Sequence, residues 1–314
     1  MKLPFTIYSP SGKIEKIVEP TAVTIGVFDG VHLGHCQMMA RLKDIASEGM
    51  ASLVVTLASH PAFILGRRSG EYWLDEPAEH LQLLFETGVD YVAVLPFTPE
   101  IAQETACQMA SMLHKTFNMR ALLLGYDSRF GNRSHDDFSQ LPQLAEQLNF
   151  TIHHNTPLLI DNQPISSSRI RESLQRGDME ETTRLMGRPY TLYGTVMHGR
   201  GVGHTIGFPT ANIDLSHSRK TLPRPGVYIV DLNGIPGVAN LGAAPTFGVN
   251  INTLEVHLPH FEGNLYDQDA TVQFHRWLRE TQNFQSSDAL QEQIQEDVKS
   301  LLGSPLCCNK NAME

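Results

Sequence analysis

Two hydrophobic rhythms follow one another along the chain. Up to about residue 185, short apolar runs alternate with longer segments of helical spacing. The runs are Ala22 to Phe28, Ala51 to Leu57, Tyr91 to Leu95, Ala121 to Leu124 and, more weakly, Thr151 to His154. Between them, His35 to Glu48, Glu76 to Thr87, Glu100 to Phe117 and Phe138 to Gln147 repeat apolar residues at helical intervals. Uninterrupted strand-like runs separated by helices predict an α/β domain, a doubly wound parallel sheet covered on both faces. Ligands of such sheets bind beyond the carboxyl ends of the strands.

After Arg188–Pro189 the rhythm shortens. Tyr190 to His198 alternates, and Gly226 to Leu232, Gly237 to Leu241, Thr253 to Leu258 and Ala270 to Phe274 are brief strand-like runs. Asn233–Gly234 is a tight hairpin signal. Ser287 to Leu302 has the length and spacing of a C-terminal helix. Short strands with Gly- and Pro-rich turns predict a small antiparallel β-barrel. The domain boundary is therefore expected at Met186–Gly187, giving domains 1–186 and 187–306, with 307–314 a flexible tail.

Composition narrows the function more than the fold. A net charge of -10 argues against a general nucleic-acid binder, which needs excess Lys and Arg to neutralise phosphates. It leaves room for a locally positive pocket. No stretch approaches the roughly 20 apolar residues that span a bilayer, so no membrane partner is expected and the cytoplasm is the expected location. Cys36, Cys107, Cys307 and Cys308 lack zinc-site spacing.

The first chemical constellation runs from Gly26 to His35 and reads Gly-Val-Phe-Asp-Gly-Val-His-Leu-Gly-His. It leaves a strand, turns at Asp29–Gly30 and enters a helix near Gly34. A helix start offers unpaired N–H groups and favours anions. His32 and His35, three apart, suit stabilisation of charge on a transferring phosphate. On its own, such a pair is also what a capped surface helix shows. Ser166, Ser167 and Ser168 precede Arg169 and Arg171 at another expected helix start; hydroxyls can cap it or bind phosphate, and the arginines can clamp phosphate or lie solvated. Gly125 to Gly131, including Asp127, follows the fourth run at the sheet's carboxyl edge, and His60–Pro61 follows the second.

The second constellation begins at Gly199, with Gly201, Gly203 and Gly207 making a loop whose amides can face phosphates or simply join two strands. Thr210 and Asn212 then alternate onto one face of an extended segment and offer neutral oxygens suited to Mg²⁺. Glu255 interrupts the apolar Leu254 to Leu258 run. It is either a functional carboxylate or an outward residue of a half-buried strand.

These segments together resemble the bacterial bifunctional riboflavin kinase/FAD synthetase family, over about residues 12 to 303. Gly26 to His35 matches its Gly-Xaa-Phe-Asp-Gly-Xaa-His-Xaa-Gly-His motif. Ile165 to Arg171 matches Ile-Ser-Ser-Thr-Xaa-Ile-Arg, with Ser168 for threonine. Gly207 to Asn212 fits Gly-Phe-Pro-Thr-Ala-Asn without a mismatch, and Leu254 to Leu258 fits Leu-Glu-Val-His-Leu. Departures fall at Ser59, Ser128 and Thr281, where the family pattern has proline, an aromatic residue and glutamate. The resemblance implies a nucleotidyltransferase-like domain followed by a riboflavin kinase-like barrel. It implies ATP, riboflavin and FMN as small-molecule substrates, FAD as product and Mg²⁺ as cofactor. Gly26, Phe28, Asp29, Gly30, Gly34, Gly125 and Asp127 are then expected at one nucleotide, with His32 and His35 acting on its phosphates. Gly201, Gly203, Gly207, Thr210 and Asn212 are expected at the other, with Glu255 as the base. His60, Pro61, Asn240 and Arg279 are expected near flavin. Two competing readings are a monofunctional FMN adenylyltransferase with a degenerate barrel and a non-catalytic flavin-binding protein. Intact Thr210, Asn212 and Glu255 oppose the first, and the joint presence of both motif sets opposes both. The sequence leaves the oligomeric state open.

Overall fold

The computed structural model describes residues 5–47, 49–58, 73–128, 130–132, 138–198, 208–246, 249–259 and 261–308. The chain divides into two compact units, Met1–Ser167 and Ser168–Glu314.

The first unit is built on β1 (Thr6–Ser9), β2 (Gly12–Ile14), β3 (Thr21–Gly26), β4 (Ala51–Leu57), β5 (Tyr91–Leu95), β6 (Met119–Leu124) and β7 (Thr151–His154), in the sheet order β2-β1-β5-β4-β3-β6-β7. β5, β4, β3, β6 and β7 run parallel. β1 and β2 add an antiparallel edge on β5. The apolar runs are continuous because both faces are covered. On one face Val23, Leu53, Val55, Leu122 and Leu124 pack with Leu113, Phe117, Leu141 and Ala145 of the helices α3 (Ala106–Phe117) and α4 (Leu141–Leu148). On the other, Ala22, Val54, Val92, Ala121 and Leu123 pack with Met39, Leu42 and Leu84 of α1 (Leu33–Ala46) and α2 (Pro77–Glu86). Each fully buried leucine contributes about 1.5–3 kcal/mol, so the sheet is a firm base for the loops at its rim.

The crossovers through α1 and α2 cover one face, and those through α3 and α4 the other. Between the neighbours β3 and β6 the strand order reverses. This is the topological switch point, where open α/β sheets place a ligand crevice. Two sequence expectations are adjusted here. The first run leaves the sheet at Gly26 because Phe28 adopts a left-handed φ of 53°. The segment from Glu100 to Phe117 is a short 3₁₀ turn followed by α3, because Thr105 caps the new helix and Gln108 bonds back to it. A small hairpin, β8 (Leu159–Ile160) with β9 (Gln163–Pro164), completes the unit.

The second unit takes most of α5 (Ser167–Arg176), then α6 (Met179–Met186), which stops at Gly187 with φ 78°. Six antiparallel strands follow and close into a barrel in the order β10-β11-β14-β13-β12-β15. They are β10 (Tyr190–Met197), β11 (Thr210–Asp214), β12 (Gly226–Leu232), β13 (Ile235–Thr246), β14 (Val249–His257) and β15 (Asp269–Arg279). Asn233 and Gly234 make the expected two-residue turn, both with positive φ, between Leu232 and its partner Ile235. Leu254 and Val256 are fully buried while Glu255 between them is half-buried, the alternation of a strand with one face inside a barrel. The helix α7 (Ser287–Leu302), followed by α8 (Pro305–Cys308), covers part of the outside: Leu301 packs on Val227, Ile229 and Val238. The expected tail is helical through Cys308, and residues 309–314 lie outside the described residues. α5 and α6 group with the barrel; Arg224 N–H donates to Leu174 O (2.9 Å), and a Cβ at Gly177 would meet the Trp277 ring at 3.1 Å.

Candidate active sites

The loop after β3 reaches its shape through two non-glycine residues in the left-handed region, Phe28 (φ 53°) and Val31 (φ 32°). Such conformations cost about 1–3 kcal/mol each and persist only where surroundings fix them. The fixing groups are visible. Asp29, 2% exposed, accepts the Leu74 N–H at 2.8 Å. The Gly30 N–H donates to Asp75 Oδ2 at 3.0 Å. Ser167 Oγ donates to Asp29 O at 2.9 Å. Gly26 has no substitute here, because a Cβ would lie 2.9 Å from Phe28 Cζ. Gly30, at φ 82°, would drive a Cβ to 2.8 Å from Leu74 Cδ1.

His32 is the N-cap of α1, and its Nδ1 accepts the His35 N–H at 3.3 Å. With Nδ1 accepting, the neutral ring carries its proton on Nε2. The rings of His32 and His35 stack, with centroids 3.6 Å apart and 16° between planes. Phe28 meets His35 edge-on at 5.4 Å. Gly34 leaves the space the His32 ring occupies: a Cβ there would be 3.2 Å from Nδ1. Across the switch point, the turn from Gly125 to Ser128 lies beside α1, and a Cβ on Gly125 would be 3.9 Å from Met38 Sδ and 3.7 Å from Asp127 Oδ1. Tyr126 and Asp127 are exposed on this turn. Burial, then the neighbouring Asp127 charge, pushes the Tyr126 phenol above its ordinary pKa. The structure thus gathers Gly26, Phe28, Asp29, Gly30, His32, Gly34, His35 and Ser167, with Gly125 and Asp127 at the neighbouring strand end.

Ser166 is half-buried just before α5, and Ser168 is exposed in its first turn. Arg169 pairs with Glu181 at 2.5 Å, and Arg171 is buried at 6% exposure. Burial acts to raise the Glu181 pKa, but hydrogen bonds and charge from Arg184 and Arg169 hold it below the ordinary value. His60, Pro61, Ser59, Gly201, Gly203 and Gly207 lie outside the described residues.

In the barrel, register assembles the second site. Asn212 on β11 is the Cα partner of Glu255 on β14, and Glu255 is the partner of Asn240 on β13. Directly opposed residues share a sheet face, so these three form one polar row on the outside of the barrel. Thr210, two residues before Asn212, is on the same face and pairs with His257. His257 Nδ1 donates to Pro209 O at 2.9 Å, fastening the Pro209–Asn212 segment to β14. A Cβ at Gly242 would lie 4.0 Å from Asn240 Nδ2 and 3.8 Å from Thr281 Cγ2, which puts the Thr281 departure at this site. Arg279 is held by Asp297 of α7 through two bonds, Nε to Oδ1 at 3.0 Å and Nη2 to Oδ2 at 2.7 Å. Gln293 also donates to Asp297. The oxygen donors of Thr210 and Asn212 beside the Glu255 carboxylate are the hard set that suits Mg²⁺ with few protein ligands. No cluster of His, Cys, Asp and Glu able to hold a metal occurs among the described residues.

Sequence reasoning did not single out Thr56, Asp75, His80 or His257. His257 was legible, two positions from Glu255 on one strand face. The other three meet the first loop only through tertiary contact.

Comparison with known proteins covers both halves. The FAD synthetase family model matches residues 14–169 and the riboflavin kinase model residues 186–303. A bifunctional riboflavin kinase/FMN adenylyltransferase from Haemophilus influenzae is 34% identical over 91% of this chain and 94% of its own. A protein of the same description from Pseudomonas fluorescens is 37% identical over 88% of this chain and 90% of its own. Among solved structures, a Streptococcus pneumoniae chain described as a macrolide-efflux protein superposes with a TM-score of 0.84 at 27% identity, covering 92% of this chain and 96% of that one. Among the described residues no helix is long and apolar enough to cross a membrane.

Proposed function

The chain belongs to the bifunctional riboflavin kinase/FMN adenylyltransferase family, and on that premise we propose which residues carry each of its two reactions. The enzyme phosphorylates riboflavin to FMN with ATP, then transfers AMP from a second ATP to FMN, giving FAD and pyrophosphate.

Phosphorylation is assigned to the barrel, and the observation that carries it is the register row Asn212–Glu255–Asn240. Glu255 accepts the proton of the ribityl 5′-hydroxyl as that oxygen bonds to the γ-phosphorus; the bond to the bridging oxygen breaks and ADP leaves. Thr210 and Asn212 would hold Mg²⁺, whose part is to offset phosphate charge. Gly201, Gly203 and Gly207 are assigned to the phosphates of that ATP. Asn240 offers an exposed amide to the flavin, and Arg279 acts there by holding α7 through Asp297.

Adenylation is assigned to the loop after β3. A phosphate oxygen of FMN attacks the α-phosphorus of ATP and pyrophosphate departs. The nucleophile is already anionic, so catalysis rests on alignment and charge stabilisation rather than on a strong base. His32 and His35 steady the phosphates. The loop from Gly26 to Gly34, Asp29 included, is assigned to the nucleotide, and the Asp29 carboxylate also fixes the loop by accepting the Leu74 N–H. Gly125 and Asp127 border adenosine, and His60 and Pro61 the flavin. Ser166, Ser167, Ser168, Arg169 and Arg171 complete the adenylating half, so the boundary between the chemistries is placed at 186/187 and the compact division precedes it. We also place the enzyme in the cytoplasm with no membrane partner, and the net charge of -10 speaks against a nucleic-acid partner.

The decisive experiment incubates the full chain with riboflavin, ATP and Mg²⁺ and separates products over time. FMN should rise before FAD. FMN without FAD would refute the adenylating assignment, and no product would refute both.

A further inference from the structure

The loop that presents His32 and His35 is closed at its base by a ring of hydrogen bonds to residues far away in sequence. The Gly30 N–H donates to Asp75 Oδ2 (3.0 Å). The same oxygen faces His80 Nδ1 at 2.8 Å. His80 Nε2 meets Thr56 Oγ1 at 2.9 Å, and Thr56 Oγ1 reaches Val27 O at 3.1 Å. The chain from Val27 to Gly30 completes the ring. A reciprocal bond, Leu74 N–H to Asp29 Oδ1, doubles the clasp. Thr56 and Asp75 are each 2% exposed, and the His80 side chain is 13% exposed. In this protected setting hydrogen bonds are stronger than they are in water. The ring also spans the two residues with left-handed φ, Phe28 inside it and Val31 at its margin, and it adds to the local bond from Val31 N–H to Phe28 O at 2.9 Å.

We propose that Asp75, His80 and Thr56 are positioning residues for adenylation. They set the Asp29–Gly30 turn, and through it the amides and imidazoles at the start of α1, in the geometry that receives the ATP phosphates. This rests on the assignment of adenylation to that loop. Misplacement of reacting groups by about 1 Å can cost about 100-fold in rate.

The test measures both activities of the full-length enzyme in parallel. Asp75→Ala should lower kcat for adenylation by about 10–100-fold while KM for FMN stays within about twofold and phosphorylation is unchanged. Asp75→Asn, whose carbonyl oxygen can accept both bonds, should recover most of the loss. Thr56→Val, nearly isosteric, should lower adenylation in the same sense. Wild-type adenylation in Asp75→Ala, or an Asp75→Asn enzyme as impaired as Asp75→Ala, would overturn the proposal. A parallel fall in phosphorylation would make the clasp a folding element and overturn it as well. His32→Ala separates the premise: if it adenylates normally the site assignment fails, whereas loss in His32→Ala beside full activity in Asp75→Ala defeats the clasp alone.

Discussion

Asn212 and Glu255 stand directly opposite each other on β11 and β14, so their side chains leave the barrel on the same outer face. The asparagines paired with Glu255 on either side are neutral, so the carboxylate is the one acidic group of the row. Glu255→Gln keeps the shape and removes the base. Riboflavin phosphorylation should fall by about 10²–10⁴-fold, with adenylation of supplied FMN unaltered, as product chromatography with each substrate would show. Normal phosphorylation by the folded variant removes Glu255 from the chemistry.

His32→Ala takes away a cap and a ring stacked on His35, and with them the proposed donor to phosphate. The expected result is a loss of about 10²–10³-fold in kcat for adenylation and intact phosphorylation. Steady-state rates for both reactions on one preparation decide the matter, since equal loss of both would contradict separate sites.

Gly226 begins β12 beneath Trp277. A Cβ there would stand 2.4 Å from Trp277 Nε1 and 2.7 Å from Arg279 O. Gly226→Ala should therefore weaken the barrel by about 1–3 kcal/mol through overpacking. Chemical denaturation would show a lowered midpoint for the barrel. Adding Trp277→Leu should return part of the loss, and unchanged stability in Gly226→Ala would disprove the clash.

His275 sits at a bulge of β15, skipped between the partners of Ile229 and Val230. Burial lowers its pKa from the ordinary 6.5, against a smaller upward pull from Asp231. The unfolded chain then binds the proton more readily than the fold. The stability held by the neutral ring is complete above about pH 6.5 and drains away as pH falls through the lowered folded value. Thermal midpoints of the wild type should drop between pH 7 and 5, and His275→Phe should flatten that slope. An identical slope in both proteins would rule the residue out.

The parts of the fold legible in the sequence were those whose environment is uniform. β3 and β4 read as unbroken apolar runs because helices bury both faces. β1 and β2 escaped notice because Ile7 alone among their residues is buried. β13 continues through Gly242 and Pro245 to Thr246, paired throughout with β14, although glycine and proline made the run look finished at Leu241. The motif residues of both sites were visible because local backbone demands, such as Gly26 under Phe28, leave a local signature. Asp75 left none. Leu74-Asp75-Glu76-Pro77 reads as an ordinary helix start, and only the three-dimensional path of the chain brings it to Gly30.

The polar row of the barrel lies on its outer wall, and the inward positions of the same strands carry only packing. Stability and turnover are thereby written on alternate residues of β14. A library varying Leu254 and Val256 can tune how firmly the barrel holds without redrawing the surface proposed to meet substrate, and one varying Glu255 does the reverse.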